Sequence, residues 1–357
     1  MIKSSFVVFL LIALTFCTNK KKSNHIEFYE HNIPKVNLKS KKINFDEIVM
    51  PIKINRKGKY LFVMESKRTS TDVPAIHIID TENWNYYRRK GVKGYGPLEL
   101  AVVSSFFPGK DSGTFEVYSA QDKKMLEYSI HDNSLVAKSE YKQPEIVYKV
   151  VKISQASDST FLGISVDDPN KLIEFNKDGD KVAAYGTWEK VLTHPSLTNF
   201  QLYNLNRGWF KGDMRLGLHV NACLFRDRLE IFNYDTKDFI IVDGPNLELP
   251  NFEIIGQDLY IPLEDNPYTY RDISFTDDFI FALYGGIGEF EYRETSQIAN
   301  KIYVFSHSGE PTILFNLDRS IVGLTVDFLQ KKIYGITTDE DPGIAVFDLS
   351  EVEFSSN

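Results

Sequence analysis

The side chains that most often perform chemistry are scattered along this sequence and form no known catalytic motif. The seven histidines stand at positions 25, 31, 77, 131, 194, 219 and 307. The segment around Ser165, Gly-Ile-Ser-Val-Asp, lacks the second glycine of a nucleophile elbow. The sequence contains no His-Glu-x-x-His pair, no phosphate-binding glycine loop and no paired-cysteine metal site. We therefore predict no catalytic group of residues, no metal site and no cofactor.

A small set of polar and aromatic residues is the best candidate for a binding surface. His219 and Asn221 stand two positions apart, so they share one face of a predicted strand. Tyr268, Tyr270 and Tyr292 fall in or beside long aromatic connections. Tyrosine contributes large contact area to interfaces at low entropic cost. We expect these five side chains to contribute to a ligand-binding face.

The remaining reactive residues have plainer interpretations. Acidic runs at 167–168 and 339–341 are typical of solvated hairpin tips, and we do not expect them to bind calcium. Cys223 stands between Ala222 and Leu224 and is interpreted as a small buried hydrophobe. The net charge of −8 over 357 residues argues against nucleic acid as a partner.

The N-terminus has the features of an export signal that ends at Cys17. Lys3 precedes an apolar run at 6–16 that is too short to span a bilayer as a mature helix, and polar residues follow Cys17 at once. The segment 14–17, Leu-Thr-Phe-Cys, resembles the lipobox of bacterial lipoproteins, although Phe16 departs from the usual small residue. The resemblance implies that residues 1–16 are a cleaved signal peptide and that Cys17 carries a lipid. An ordinary secretory signal is the alternative.

The residues that follow Cys17 predict a tether and a location. Residues 17–27 are mostly polar and basic, without apolar periodicity, which indicates a flexible tether. Thr18 is not the aspartate that the familiar sorting rule connects with the inner membrane. In some bacterial lipoproteins, an acidic segment after the lipidated cysteine resembles a surface-export signal. The lysines at 20–22 differ from such a segment. We therefore expect a lipid-anchored protein of the cell envelope, at the outer membrane and facing the periplasm.

The candidate residues must be positioned by short β-strands, because the chain repeats one hairpin pattern. Residues 301–317 and 172–185 each place two apolar runs around a turn that contains a glycine, Gly309 or Gly179. The predicted strands of the first three units are 48–54, 60–64, 75–79 and 84–87, then 102–107, 114–118, 125–130 and 135–139, then 147–153, 161–164, 172–175 and 181–185. Similar turns recur about every 50 residues, which is typical of a repeat architecture.

Six such units predict an all-β, six-bladed β-propeller with about four antiparallel strands per blade over residues 28–357. A closed ring has the physical advantage that no end sheet is left bare. The last unit supplies three clear strands, at 321–328, 332–336 and 344–347, so we expect residues 35–45 to add the fourth strand and close the ring. The segment 187–214 is predicted to be an insertion. A two-domain β-sandwich is the competing fold.

The stretch 88–100 closes the first predicted unit and resembles a family motif. It matches the Gly-x-Gly-Pro-Gly-Glu-Phe pattern of TolB-like six-bladed propeller lipoproteins of Bacteroidota at Gly94, Gly96, Pro97 and Glu99, but has Leu98 for a glycine and Leu100 for the phenylalanine. The resemblance implies a propeller in the cell envelope and no established reaction. From the residues alone, the motif is a tight turn between blades in which Glu99 accepts backbone N–H groups. A loop that lines one propeller face is the alternative.

Two classes of function stay open. The first is a non-catalytic binding or scaffolding module that is tethered to a membrane and recognises a protein, peptide or glycan through one propeller face. The second is a metal-dependent hydrolase resembling the six-bladed lactonases, which would need Glu, Asn and Asp side chains from different blades around an axial cation. The sequence does not reveal such a set, so the binding module is the preferred hypothesis.

Overall fold

A computed structural model describes residues 24–247 and 249–354. Six sheets of four or five strands form the blades of a ring, and helices occur only in the connections. The predicted all-β, six-bladed β-propeller is therefore confirmed. Cys17, the predicted signal peptide and most of the predicted tether lie outside the described residues. In the described part of the chain, no helix has the length and apolarity needed to cross a bilayer.

The chain enters the ring along the outer edges of its last three blades. Three short strands are added there, one to each blade: β1 His25–Glu27, β2 Lys35–Leu38 and β3 Ser40–Ile43. A 3-10 helix, Glu30–Asn32, separates the first two. This segment therefore contacts half of the ring before the first complete blade begins.

Each blade consists of consecutive antiparallel strands, and the first strands of neighbouring blades meet around the central axis. Blades 1 and 2 contain β4 Pro51–Lys57, β5 Tyr60–Glu65, β6 Ile76–Asp80 and β7 Asn85–Lys90, then β8 Ser105–Phe107, β9 Thr114–Ser119, β10 Lys124–Ser129 and β11 Ser139–Lys142. Blades 3 and 4 contain β12 Val150–Gln155, β13 Thr160–Ser165, β14 Asn170–Asn176 and β15 Lys181–Thr187, then β16 Gly208–Asp213, β17 Leu218–Cys223, β18 Arg228–Asn233 and β19 Asp238–Asp243.

A separate hairpin, β20 Glu253–Ile255 and β21 Asp258–Tyr260, lies in the connection between blades 4 and 5. Blades 5 and 6 contain β22 Tyr268–Phe275, β23 Phe279–Ile287, β24 Lys301–Ser306 and β25 Pro311–Leu317, then β26 Ile321–Asp327, β27 Lys332–Thr337 and β28 Ile344–Asp348. Blade 6 thus has three consecutive strands of its own, as the sequence predicts.

The N-terminal segment closes the ring. Strand β3 pairs antiparallel with β28, with Ser40 opposite Phe347 and Ile43 opposite Ile344. The predicted closure by residues 35–45 is therefore confirmed for β3. Strand β2 instead runs parallel to β25 as a fifth strand of blade 5. Strand β1 runs parallel to β19 on blade 4, so the last residues of the predicted tether belong to the folded ring.

Apolar side chains fill the spaces between blades. Strand β17 is buried along its whole length, because neighbouring structure covers both faces of a middle strand. Phe281, Phe315 and Phe347 are fully buried in one cluster shared by blades 5 and 6. Replacing such a phenylalanine with alanine typically costs about 3–5 kcal/mol. Packing between blades therefore holds the ring together.

The repeated hairpin is also confirmed. Strands β24 and β25 form it in blade 5, and β14 and β15 form it in blade 3. Gly309 and Gly179 turn these hairpins with φ of 84° and 86°, a region that favours glycine.

Several strand boundaries differ from the sequence prediction by a few residues, and two differences change the assignment of a segment. The fourth strand of blade 2 is β11, which begins where the predicted strand 135–139 ends. The reason is that Leu135 is engaged elsewhere, since its carbonyl accepts the Gly91 N–H of the connection that follows blade 1. Of the segment 187–214, residues 188–207 connect blades 3 and 4, and β16 is the first strand of blade 4.

Candidate functional site

One face of the ring carries the long connections. In an antiparallel blade, the links between the second and third strands emerge on the same side as the links between blades. The long segments on that side are residues 66–75, 91–104, 188–207, 244–267 and 288–300. We call this side the connection face, and the opposite side, with mostly short turns, the hairpin face. Connections held by a rigid scaffold commonly carry binding residues, so the connection face is the candidate site.

Two of these connections pack together into a cap with its own apolar core. The cap comprises residues 188–207 and 249–267, with helix α1, Asn199–Asn206, and the β20–β21 hairpin. Helix α1 begins with a capping box, in which Thr198 and Gln201 each accept the other's backbone N–H. The buried side chains of the cap, packed on Phe225 of blade 4, are Trp188, Val191, Leu202, Leu205, Leu259 and Ile261. The cap is therefore an ordered part of the fold.

Large apolar side chains project outward from the connection face. Leu192 of the cap is 94% exposed and Ile255 is 58% exposed. Ile254 and Tyr260 of the β20–β21 hairpin are also exposed. Phe290, on helix α2 Glu289–Thr295 in blade 5, is 71% exposed. We call these five residues the apolar set. Exposure of large apolar side chains to water is unfavourable. Such side chains on an ordered surface are typical of an interface.

A cavity of about 460 Å³ opens at the outer part of the same face, where the N-terminal segment crosses blades 4 and 5. It is lined by Tyr29, Glu30, His31, Lys35, Pro245, Asn246, Tyr284, Gly285, Gly286 and Lys301. Both charged and neutral polar groups line the cavity. It could therefore receive the polar side chains of a partner bound to the connection face.

The three predicted tyrosines have different places in the structure. Tyr292 lies on α2 and is partly exposed at the connection face. Tyr268 is half-buried and donates its hydroxyl proton to Glu289 at 2.8 Å, which positions α2. Tyr270 is fully buried and its hydroxyl donates to the Gly244 carbonyl at 2.9 Å. The prediction of a surface role is therefore wrong for Tyr270, because it lies on β22 where blades 4 and 5 pack together.

His219 and Asn221 share one face of β17, but that face is interior. His219 has no exposed surface, and its Nδ1 lies 3.1 Å from Ser154 Oγ in blade 3. Burial, with a smaller effect from Lys237, lowers the pKa of His219 to about 4. Asn221 donates to the Asn206 carbonyl at 2.9 Å and to Glu230 at 3.1 Å. The predicted surface role is therefore wrong for both residues, since β17 is covered on both sides.

Gly212 makes the contact between blades 3 and 4 possible. A Cβ atom at this position would lie 2.2 Å from His219 Nδ1 and 2.3 Å from Ser154 Oγ. The imidazole therefore reaches Ser154 only because β16 has no side chain at this point. The pair joins two blades and lies away from solvent, so we assign it a structural role.

The motif loop folds around the Glu99 carboxylate. Glu99 Oε2 accepts the Gly96 N–H at 3.0 Å, and a Cβ on Gly94 would lie 2.0 Å from the same oxygen. Pro97 follows in the turn. Leu98, which stands where the family pattern has glycine, adopts a left-handed φ of 59° and donates its N–H to Glu140 at 2.7 Å. These contacts support the interpretation of the motif as a turn between blades.

The axis of the ring is lined by charged residues that the sequence analysis did not single out. Lys53, Lys152 and Lys211 lie on the first strands of blades 1, 3 and 4, and Asp272 lies on that of blade 5. The sequence does mark two of these residues as unusual, because Lys53 and Lys152 interrupt apolar strands, in Ile-Lys-Ile at 52–54 and Val-Lys-Ile at 151–153. A lysine in a covered strand must reach a carboxylate, a carbonyl or water.

These side chains do not fit the axial cation of the hydrolase hypothesis. Asp272 accepts from Lys211 Nζ at 2.7 Å and from the Leu324 N–H at 3.0 Å. Asp327, at the hairpin-face end of β26, pairs with Arg56 at 3.0 Å. Within residues 24–247 and 249–354, no group of three or more His, Cys, Asp or Glu side chains is arranged to hold a metal ion. A divalent cation at the axis would meet ammonium groups where it needs oxygen ligands.

Cys223 is buried, in agreement with its interpretation as a small core residue. Burial raises the pKa of its thiol to about 12. The thiol donates to the Asn206 carbonyl at 3.3 Å. A thiol that is neither ionised nor accessible is unsuited to nucleophilic chemistry.

Comparisons with known proteins agree with this architecture. The family model described as TolB-like 6-blade propeller-like matches residues 27–328. A solved structure from Bacteroides fragilis, whose name describes an exported protein, aligns with a TM-score of 0.58 at 12% identity over 91% of this chain and 98% of its own. A member of the DUF4221 family from Bacteroides vulgatus gives a TM-score of 0.52 at 12% identity, over 87% and 98% of the two chains. At this identity both structures show a shared fold alone. No curated protein matches the sequence.

Proposed function

The chain belongs to the TolB-like six-bladed propeller family, and on that basis we propose that it is a non-catalytic binding module of the cell envelope. It recognises a protein or peptide through the connection face. The observation that carries this proposal is the exposure of the apolar set on an ordered cap and an adjoining helix. Apolar side chains held outward on a rigid surface gain free energy when a partner covers them.

A protein or peptide suits this face better than a glycan. Leu192, Ile254 and Ile255 are aliphatic, so they offer desolvation and no hydrogen bonds. Phe290 and Tyr260 add aromatic contact area of the kind that dominates protein interfaces. The polar cavity beside Lys301 would add specificity at the rim of the same interface.

Site-specific photocrosslinking in intact cells tests the binding face. A crosslinking amino acid at Ile255 or Phe290 should capture an envelope protein, whereas the same amino acid at Leu329 should not. Leu329 is a matched control because it is 92% exposed and apolar but lies at a turn on the hairpin face. The double substitution of Ile255 and Phe290 by serine should abolish co-purification of the captured protein, and Leu329→Ser should preserve it. Equal capture from both faces, or capture from Leu329 alone, would contradict the proposal.

The envelope location rests on the N-terminal sequence and on the family. The export-like segment that ends at Cys17 supports lipid anchoring, and the name of the Bacteroides fragilis structure supports export. We propose attachment to the outer membrane, facing the periplasm, through a lipid on Cys17. Cells fed a tagged fatty acid should label the wild-type protein and Cys223→Ala, but not Cys17→Ser. Equal labelling of all three would reject the lipid anchor.

A further inference from the structure

The central axis holds more positive than negative charge. Lys53, Lys152 and Lys211 lie on the first strands of blades 1, 3 and 4, which surround the axis, and each is partly buried. Asp272 on blade 5 forms a 2.7 Å ion pair with Lys211, and within the described residues no other carboxylate forms an ion pair with these three lysines. Three ammonium groups and one carboxylate leave two positive charges without compensation. Arg207, directly before β16, adds a further charge at the connection-face end.

The hydrogen bonds of these lysines do not neutralise them. Lys53 Nζ donates to the carbonyls of Val103 and Ser104 at 3.1 and 2.6 Å, which satisfies donors but supplies no negative charge. Lys152 has no hydrogen bond or ion pair with any residue of the described chain. A desolvated ammonium without a counter-charge is costly, so a lysine in this position is expected to recruit one.

The lysines also influence each other. Burial lowers the pKa of Lys53 to about 8, and the charge of Lys211 contributes. Burial likewise lowers the pKa of Lys152 to about 8, with contributions from Lys53 and Arg207. The four cations, which come from blades 1, 3 and 4, therefore share one electrostatic environment. Both lysines are still mainly protonated near pH 7.

We propose that the axis of the ring is a binding site for a small oxyanion, a carboxylate or a phosphate, held between Lys53, Lys152 and Lys211. Lys152 supplies the direct contact because its ammonium is otherwise unpartnered. The carbonyls of Val103 and Ser104, in the connection before blade 2, orient Lys53, and Asp272 orients Lys211, so both ammonium groups are positioned before a ligand binds. This site is separate from the apolar set and goes beyond the proposed recognition of a protein.

The test uses the form that begins at Asn24, with inorganic phosphate and succinate as probes at pH 7 and sodium chloride as the reference at equal ionic strength. We expect phosphate, succinate or both to raise the Tm saturably by roughly 3 °C or more, because a ligand that binds only the folded state stabilises it. The preferred probe identifies the oxyanion class. The absence of a saturable rise with both probes would overturn the proposal.

Substitutions locate the effect. Lys152→Met should lower the affinity for the preferred probe at least tenfold, and Lys152→Arg should retain most of that affinity. Lys149→Met is the matched control, since that side chain is 69% exposed and pairs with Asp167 at the surface. Without ligand, Lys152→Met should be at least as stable as the wild type, because it removes an uncompensated charge. Full affinity in Lys152→Met, or an equal loss in Lys149→Met, would contradict the assignment. If Lys152→Met does not fold, Lys53→Met is judged by the same tenfold criterion.

Discussion

Glu30, in the segment before the first blade, accepts a hydrogen bond from the Tyr303 hydroxyl of blade 5 at 2.8 Å. The same carboxylate oxygen accepts from Lys301 at 2.7 Å, and the other accepts from Lys35 at 2.9 Å. Partial burial opposes ionisation, but the bonds from Lys301, Lys35 and Tyr303 prevail and lower the pKa of Glu30 to about 2. One side chain thus fixes the N-terminal segment to the rim of the ring.

Replacing Glu30 should loosen that attachment. We expect Glu30→Gln to lower the free energy of unfolding by roughly 1–2 kcal/mol at pH 7. A carboxyl whose pKa is depressed on folding contributes its stability above its ordinary pKa and loses it as the pH falls toward the folded value. The difference between the two proteins should therefore narrow from pH 5 to pH 2.5 in urea titrations. Glu27→Gln, at an exposed position on β1, is the control and should have little effect.

Truncation tests the closure of the ring. A form that begins at Asn24 keeps β1, β2 and β3 and should melt like a form that begins at Thr18. A form that begins at Asn44 loses all three strands and the buried anchors Phe28 and Leu38. It also leaves β28 with an unpaired edge, so we expect a lower Tm and aggregation in light-scattering measurements. Equal behaviour of the two forms would refute closure by β3.

Because His219 is buried as a neutral imidazole, we expect the free energy of unfolding to fall in weak acid. Its pKa in the folded state is about 4, whereas an unfolded histidine has its ordinary value of 6.5. As the pH falls below 6.5, the unfolded chain gains a proton that the folded chain excludes. Folding therefore becomes less favourable down to about pH 4, by roughly 3 kcal/mol. His219→Gln should have a flatter dependence of unfolding free energy on pH across this range. Parallel curves for both proteins would contradict the buried neutral imidazole.

Metal removal distinguishes the two classes of function. Since Lys211 already occupies Asp272, we expect EDTA, calcium and zinc to leave the Tm of the purified protein unchanged. We also expect no turnover of lactone or phosphotriester substrates. A loss of several degrees with EDTA, reversed by one ion in particular, would support the hydrolase hypothesis instead.

Much of the ring could be predicted from sequence because its signals are local. Glycine turns such as Gly309 and short apolar runs define hairpins within about 20 residues, and their regular recurrence defines blades. Strands β1 and β2 were harder to predict from sequence, because a parallel edge strand has no turn that links it to its partner. Only the deficit of one strand in blade 6 pointed to the N-terminal segment.

The candidate sites depended on contacts that sequence periodicity does not contain. Alternation places His219 and Asn221 on one face of a strand, but both faces of β17 are covered by other structure. Tyr270 is buried for the same reason on β22. The axial lysines come from three blades, and nothing in the sequence places those blades around a common axis until the ring is closed. Likewise, the exposed residues of the cap can be identified only once its buried side chains are known.

The pairing of β3 with β28 also affects the order in which parts of the ring can fold. Residues 24–43 are synthesised early, yet their strand partners in blades 4, 5 and 6 are synthesised late. Contacts between distant parts of a chain form slowly, so earlier blades can assemble while the first strands wait for their partners. During that interval, the free edge of β28 can pair with another molecule. In the delay between synthesis of blade 6 and docking of β3, the edge of β28 is therefore open to aggregation.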